Sequence, residues 1–75
     1  MMKGKVFGID KLGMLKVVCD NGRTSLIEIV DSIDIPVGDI LTGDLMNYGG
    51  FVSIHSDENN EYFQGLIQNL DIPRA

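Results

Sequence analysis

MLKVVCDNGRTSLIEIV, residues 14–30, is the stretch whose reading decides the fold. At its centre stand Asn21 and Gly22, flanked by Asp20 and Arg23. An Asn-Gly pair accepts φ > 0 at both central positions of a type I′ turn, whose twist matches the strands it joins, so the stretch reads as a β-hairpin. The flanks agree. Leu15, Val17 and Cys19 share one face, as do Ile27 and Ile29, while Lys16 and Glu28 point the other way.

Upstream, KGKVFGI (3–9) joins the hairpin through Asp10-Lys11-Leu12-Gly13, so the first three strands form a meander. Downstream, Asp31-Ser32-Ile33-Asp34 has the residues of a helix cap, and Pro36 disfavours helix at Ile35; one short helical turn is expected over 31–35. Then come DILTGDLM (39–46), a turn at 47–50, FVSIHS (51–56), a turn at 57–60 and EYFQGLIQNL (61–70). Turn signals at such regular intervals are those of an all-β sandwich or barrel. The expectation is an all-β, five- or six-stranded small antiparallel barrel in one domain over 1–75, with 71–75 a frayed tail. No internal repeat is visible.

Within VGDILTGDL (37–45) the spacing G-x-x-x-x-G is that of a phosphate loop. Asp44 and Leu45 stand where that loop needs Lys and then Ser or Thr, so the phosphate reading fails. Alternation puts Asp39, Leu41, Gly43 and Leu45 on one face, and Ile40, Thr42, Asp44 and Met46 on the other. Gly43 is expected to bend the strand, and Asp39 and Asp44 to join an acidic face.

The chain has 75 residues, 44% of them hydrophobic, which suits a folded domain; at this length burial is limited and self-association would add to it, so a homodimer is expected. Its single cysteine cannot form an internal disulfide, and the amino-terminal MMKGKVFGID lacks the apolar run of a secretory signal. A reducing cytoplasm is the expected location. No apolar run approaches the length that spans a membrane.

The net charge of −5 is unevenly laid out. Residues 1–23 hold five cations (Lys3, Lys5, Lys11, Lys16, Arg23) against two acids, whereas residues 24–73 hold nine acids and no Lys or Arg. Such a split suits a polarised surface that meets a partner of opposite sign, or another copy of the chain.

Nucleophilic catalysis needs a nucleophile, a base and a group that orients the base. The chain offers one Cys and one His: Cys19 falls on the inward face, and His55 alternates out of phase with Val52 and Ile54. No triad follows, and no enzymatic activity is expected. One Cys and one His cannot complete a structural zinc site. Asp57, Asn59 and Glu61 match the first three ligand positions of a calcium loop, but Tyr62 replaces its Gly and Gln68 its closing Glu. No metal or cofactor is expected.

GDILTGDLMNYGGFVSI followed by QGLIQNL resembles the ribosomal-protein type RNA-binding repeat of the oligonucleotide-binding (OB) fold. The matching residues are Gly38, Asp39 and Gly43, then Tyr48, Gly49, Gly50, Phe51 and Val52, then Gly65, Leu66 and Ile67. Gln68 stands where the family has His, and the first three strands would close such a barrel in permuted order. The resemblance implies an OB-like barrel in which Tyr48 and Phe51 correspond to base-stacking aromatics. Two functions are therefore expected: a non-catalytic binding or assembly module working through protein contacts, by polarised faces or a strand edge, or a single-stranded nucleic-acid-binding domain. The candidate surface comprises Lys3, Lys5, Lys16, Arg23, Tyr48, Phe51 and Tyr62.

Overall fold

A computed structural model describes residues 1–74. Six strands follow in order: β1 (Met2–Ile9), β2 (Leu15–Cys19), β3 (Thr24–Ile29), β4 (Ile40–Gly43), β5 (Phe51–Ser56) and β6 (Glu61–Leu70). They close into a barrel in the order β1-β2-β3-β6-β5-β4, every pair antiparallel. The all-β antiparallel barrel expected from the sequence is thus what the chain forms. Closure gives each strand two neighbours, so pairing through a free sheet edge, one route to a dimer that the sequence leaves open, is not offered by this barrel.

The inward face of each strand is the apolar one. Val6, Leu15, Val17, Ile27, Leu41, Leu45, Ile54, Phe63 and Ile67 form the core with Cys19, and the alternation read around Asn21-Gly22 holds on both sides of that turn. The hairpin forms, but not through the expected type I′ turn: Gly22 has φ 84° while Asn21 does not have a positive φ, and Gly22 N–H donates to Cys19 O at 2.9 Å, so the chain reverses over 19–22 with Gly22 alone in the left-handed conformation. Six strands enclose little space, and glycines make room at crowded points. A Cβ on Gly65 would stand 2.8 Å from Ile54 Cδ1 and 2.9 Å from Ile27 Cγ2. Gly43 ends β4 instead of bending it midway; a Cβ there would meet the backbone of β5 at Ser53 O, 3.1 Å away.

Because β3 and β4 lie opposite each other in the ring, residues 30–39 must cross one barrel end, and they carry Ile35 into the core. The helical turn expected at 31–35 is not formed, and the described residues contain no helix. Asp31 uses its carboxylate elsewhere: Oδ2 accepts the Gln64 N–H at 2.7 Å, which holds the crossing segment against β6 in an extended path. Among the described residues no helix is long and apolar enough to cross a membrane.

Asp39 corrects a second expectation. It is only 2% exposed and contributes nothing to an acidic face, whereas Asp44 is exposed. Its Oδ2 accepts the Ser56 hydroxyl at 2.6 Å and its Oδ1 accepts the Glu58 N–H at 3.0 Å; Ser56 Oγ in turn accepts the Asn59 N–H at 3.1 Å. A buried carboxylate is tolerable when its lone pairs are filled in this way. The segment after β6 is fastened at its start. Asp71 N–H donates to Thr24 O, Thr24 Oγ1 donates to Ile72 O, and Arg23 grips Asp71 at 3.0 and 2.7 Å. Ala75, the last residue of the expected frayed tail, lies outside the described residues.

Exchanging β1–β3 for β4–β6 maps the strand order onto itself, so the barrel is two equivalent meanders about an approximate dyad. A faint repeat in the sequence accompanies it. Ile33-Asp34-Ile35-Pro36 and Leu70-Asp71-Ile72-Pro73 stand 37 positions apart, the interval that also separates buried Val17 from buried Ile54 and buried Cys19 from buried Ser56.

Candidate partner and nucleic-acid interface

Outward positions on neighbouring strands line up through the strand registers. Lys3 on β1 stands beside Thr42 on β4, Thr42 beside His55 on β5, and His55 beside Tyr62 on β6. Lys5 follows two residues along β1, next to Ile40. Three steps carry this row half-way round the six-stranded ring, so β1 and β6 lie opposite each other and Lys3 and Tyr62 leave different sides of the barrel. The barrel therefore does not gather Lys3 and Lys5 onto one surface with Tyr62.

Tyr62 is supported there. The His55 and Tyr62 rings meet edge-on with centroids 5.0 Å apart, and His55 Nδ1 lies 3.5 Å from Asp57 Oδ1. Further along the β5–β6 ribbon, Ser53 pairs with Gln64 and Phe51 with Leu66. Four residues on a strand cover roughly 13 Å, so Phe51 and Tyr62 mark opposite ends of the ribbon's outer face. Tyr48 lies beyond Phe51, in a loop tied to β6 by Gly49 N–H donating to Ile67 O and Ile67 N–H donating to Gly50 O. Tyr48, Phe51 and Tyr62 are 68%, 67% and 67% exposed. Large aromatics standing this far into water are uncommon on a small domain unless they meet something.

The remaining candidates are placed differently. Lys16 Nζ sits over the Phe7 ring, 5.6 Å from its centroid, on the β1–β2 side. Arg23 is committed to Asp71: hydrogen bonding to Arg23 holds the Asp71 carboxyl below its ordinary value and raises the guanidinium's own pKa. Its charge is neutralised locally. Around the aromatic ribbon the charges are acidic, with Asp57, Glu58 and Glu61 at the Tyr62 end and Glu28, bonded to Gln68 Nε2, beside Leu66.

Sequence reading misses His55 and Leu66 as members of this surface. The period-two pattern does place His55 outward, but only the strand register shows it against Tyr62. Among the described residues no cluster of three His, Cys, Asp or Glu side chains is arranged to hold a metal. Compared with protein-family models, curated proteins and solved structures, the chain matches none of them.

Proposed function

We propose that the chain is a non-catalytic binding or assembly module that works through protein contacts, with the outer face of the β5–β6 ribbon as its contact surface. The observation that carries this reading is the exposure of Tyr48, Phe51 and Tyr62 along one ribbon and its adjoining loop. Aromatic side chains with few rotatable bonds are the usual anchors of protein interfaces. The acids around them favour a partner, or a second copy, that presents cations. The test compares the wild-type chain with a Tyr48→Ser/Phe51→Ser/Tyr62→Ser variant by light scattering at low and high salt and by cross-linking in the native cell. Wild type should show a defined complex that the variant loses. A strict monomer with identical cross-links in both forms rejects the reading.

A second reading rests on the same rings. Tyr48, Phe51 and Tyr62 are exposed stacking surfaces of the kind that single-stranded nucleic acid uses, although Lys3 and Lys5 stand across the barrel from Tyr62. It is also the reading that the OB-like pattern in residues 38–70 favours. Fluorescence anisotropy with labelled oligonucleotides at low salt decides it: binding should weaken steeply with salt and with Lys3→Ala/Lys5→Ala. No binding at high micromolar protein removes it.

A further inference from the structure

The sulfur atoms of this chain are unevenly distributed in the fold. The barrel end formed by the start of β1, the end of β2 and the β4–β5 loop holds Cys19, Met46, Met2 and Met1. Cys19 Sγ lies 3.9 Å from Met46 Sδ. Gly4 pairs with Cys19, so Met2, two residues back on the same inward face, occupies the diagonal position, ~7–8 Å away between Cα atoms. Met2 is partly buried against the same core, and its unbranched side chain spans that separation.

Ser25 supplies a second observation. It is fully buried on the inward face of β3, its hydroxyl has no hydrogen-bond partner, and its pairing with Val17 places it diagonal to Cys19 on the same inward face. A buried hydroxyl without a partner is rare enough to call for an explanation. Of Cys19, Met46 and Met2, it is Met2 that lines an open cleft, together with Met1, Asp20, Gly43 and Asp44, and the carboxylates of Asp20 and Asp44 attract a cation.

We propose that Cys19, Met46 and Met2 form a binding site for Cu(I). Thiolate and thioether sulfur are soft ligands that select this ion over hard divalent cations. The spacing suits it: two sulfurs each ~2.3 Å from a common ion and set at a trigonal angle stand ~4.0 Å apart. On binding, Cys19 loses its proton to solvent as the copper–sulfur bond forms, so one proton is released for each ion bound and no electron is transferred. Affinity rises with pH for that reason. The Ser25 hydroxyl, now beside a thiolate, gains the acceptor it lacks in the free protein. The site is independent of the aromatic ribbon and of any partner that binds there.

The test is an anaerobic titration of the whole chain with Cu(I) in competition with bicinchoninate, repeated with Met46→Leu, Met2→Leu and Cys19→Ser. The wild type should withdraw one equivalent, and its thermal unfolding midpoint should rise with Cu(I). Met46→Leu and Met2→Leu keep the volume of the core and should each weaken binding at least tenfold. Cys19→Ser should abolish binding; if that variant does not fold, the two methionine variants carry the decision. The proposal is overturned if the wild type takes no copper from the competitor, if both methionine variants bind like wild type, which would make the thiol the sole ligand, or if Zn(II) binds as tightly as Cu(I).

Discussion

Asp39 shows how one residue can be legible in position and misread in role. Alternation places it on the same face as Leu41, Gly43 and Leu45, and that face proves to be the inner one. Its charge suggested the surface, yet the Ser56 hydroxyl and the Glu58 amide are the groups that make burial tolerable, and both are distant in sequence. Asp39→Ala leaves these two donors unpaired and should destabilise the fold by on the order of 3 kcal/mol, with Asp39→Asn intermediate. Urea unfolding monitored by circular dichroism measures it, and a loss below ~0.5 kcal/mol would show that the network is not structural. Cys19 behaves as its inward phase predicts. Burial, the largest cause, pushes its thiol above the ordinary value of 9.0. The folded state therefore favours the protonated thiol. Its contribution is fully present below the ordinary value and is lost as pH rises through the raised folded value. Unfolding curves between pH 8 and 10.5 should show stability falling with pH in the wild type and a shallower fall in Cys19→Ala. Equal slopes would refute the linkage.

At the scale of elements, strand existence was read closely and loop conformation was not. Five of the six strands, β4 being the exception, match the apolar segments within a residue or so at each end, because period two and turn residues are local signals. The 31–35 segment carries the local signal of a helix cap, but its capping carboxylate bonds to Gln64, a partner that exists only once β6 is in place. Gly43 illustrates the same divide. Its presence inside an apolar segment was a reason to expect a bend, whereas its place in the fold is a close approach to β5. Gly43→Val drives a branched side chain toward Ser53 O and the Ile54 backbone and should cost about 1–3 kcal/mol. Equal stability of the variant would mean that β5 yields easily at this point. It could yield more readily here than elsewhere, since the β4–β5 ladder comprises two residue pairs against six for β5–β6. Native-state hydrogen exchange should accordingly find the β4–β5 amides opening at lower free energy than those of β5–β6. The reverse order would place the weak seam elsewhere.

For the whole molecule, the order in which strands close was hidden, since neither β1–β4 nor β3–β6 pairing leaves a local mark in the chain. The dyad was hidden for a related reason. Its halves share burial phase far more than residue identity, and a buried Cys19 opposite a buried Ser56 does not look like a repeat until both are seen facing inward. The candidate surface was legible as a set of residues and illegible as a geometry, because only the ring order shows that Lys3 on β1 and Tyr62 on β6 stand on opposite sides of the barrel. If the two meanders are truly equivalent units, each half should hold the information for its own strands and need the other for burial. Residues 1–36 and 37–75, divided in the crossing segment, are then complementary fragments joined by the β1–β4 and β3–β6 seams. Each fragment alone exposes one face of a three-stranded sheet that has nothing to cover it, which leaves it marginal in water. Mixed in equal amounts, the fragments should recover an amide NMR spectrum that overlays the intact chain except near residues 36 and 37, with a midpoint that rises with concentration. Ile35 sets the limit on this prediction, since it enters the core from the crossing segment and must remain with the first fragment. Fragments that stay unfolded together at high micromolar concentration would show that the covalent crossing, and not the symmetry of the halves, determines how the barrel closes.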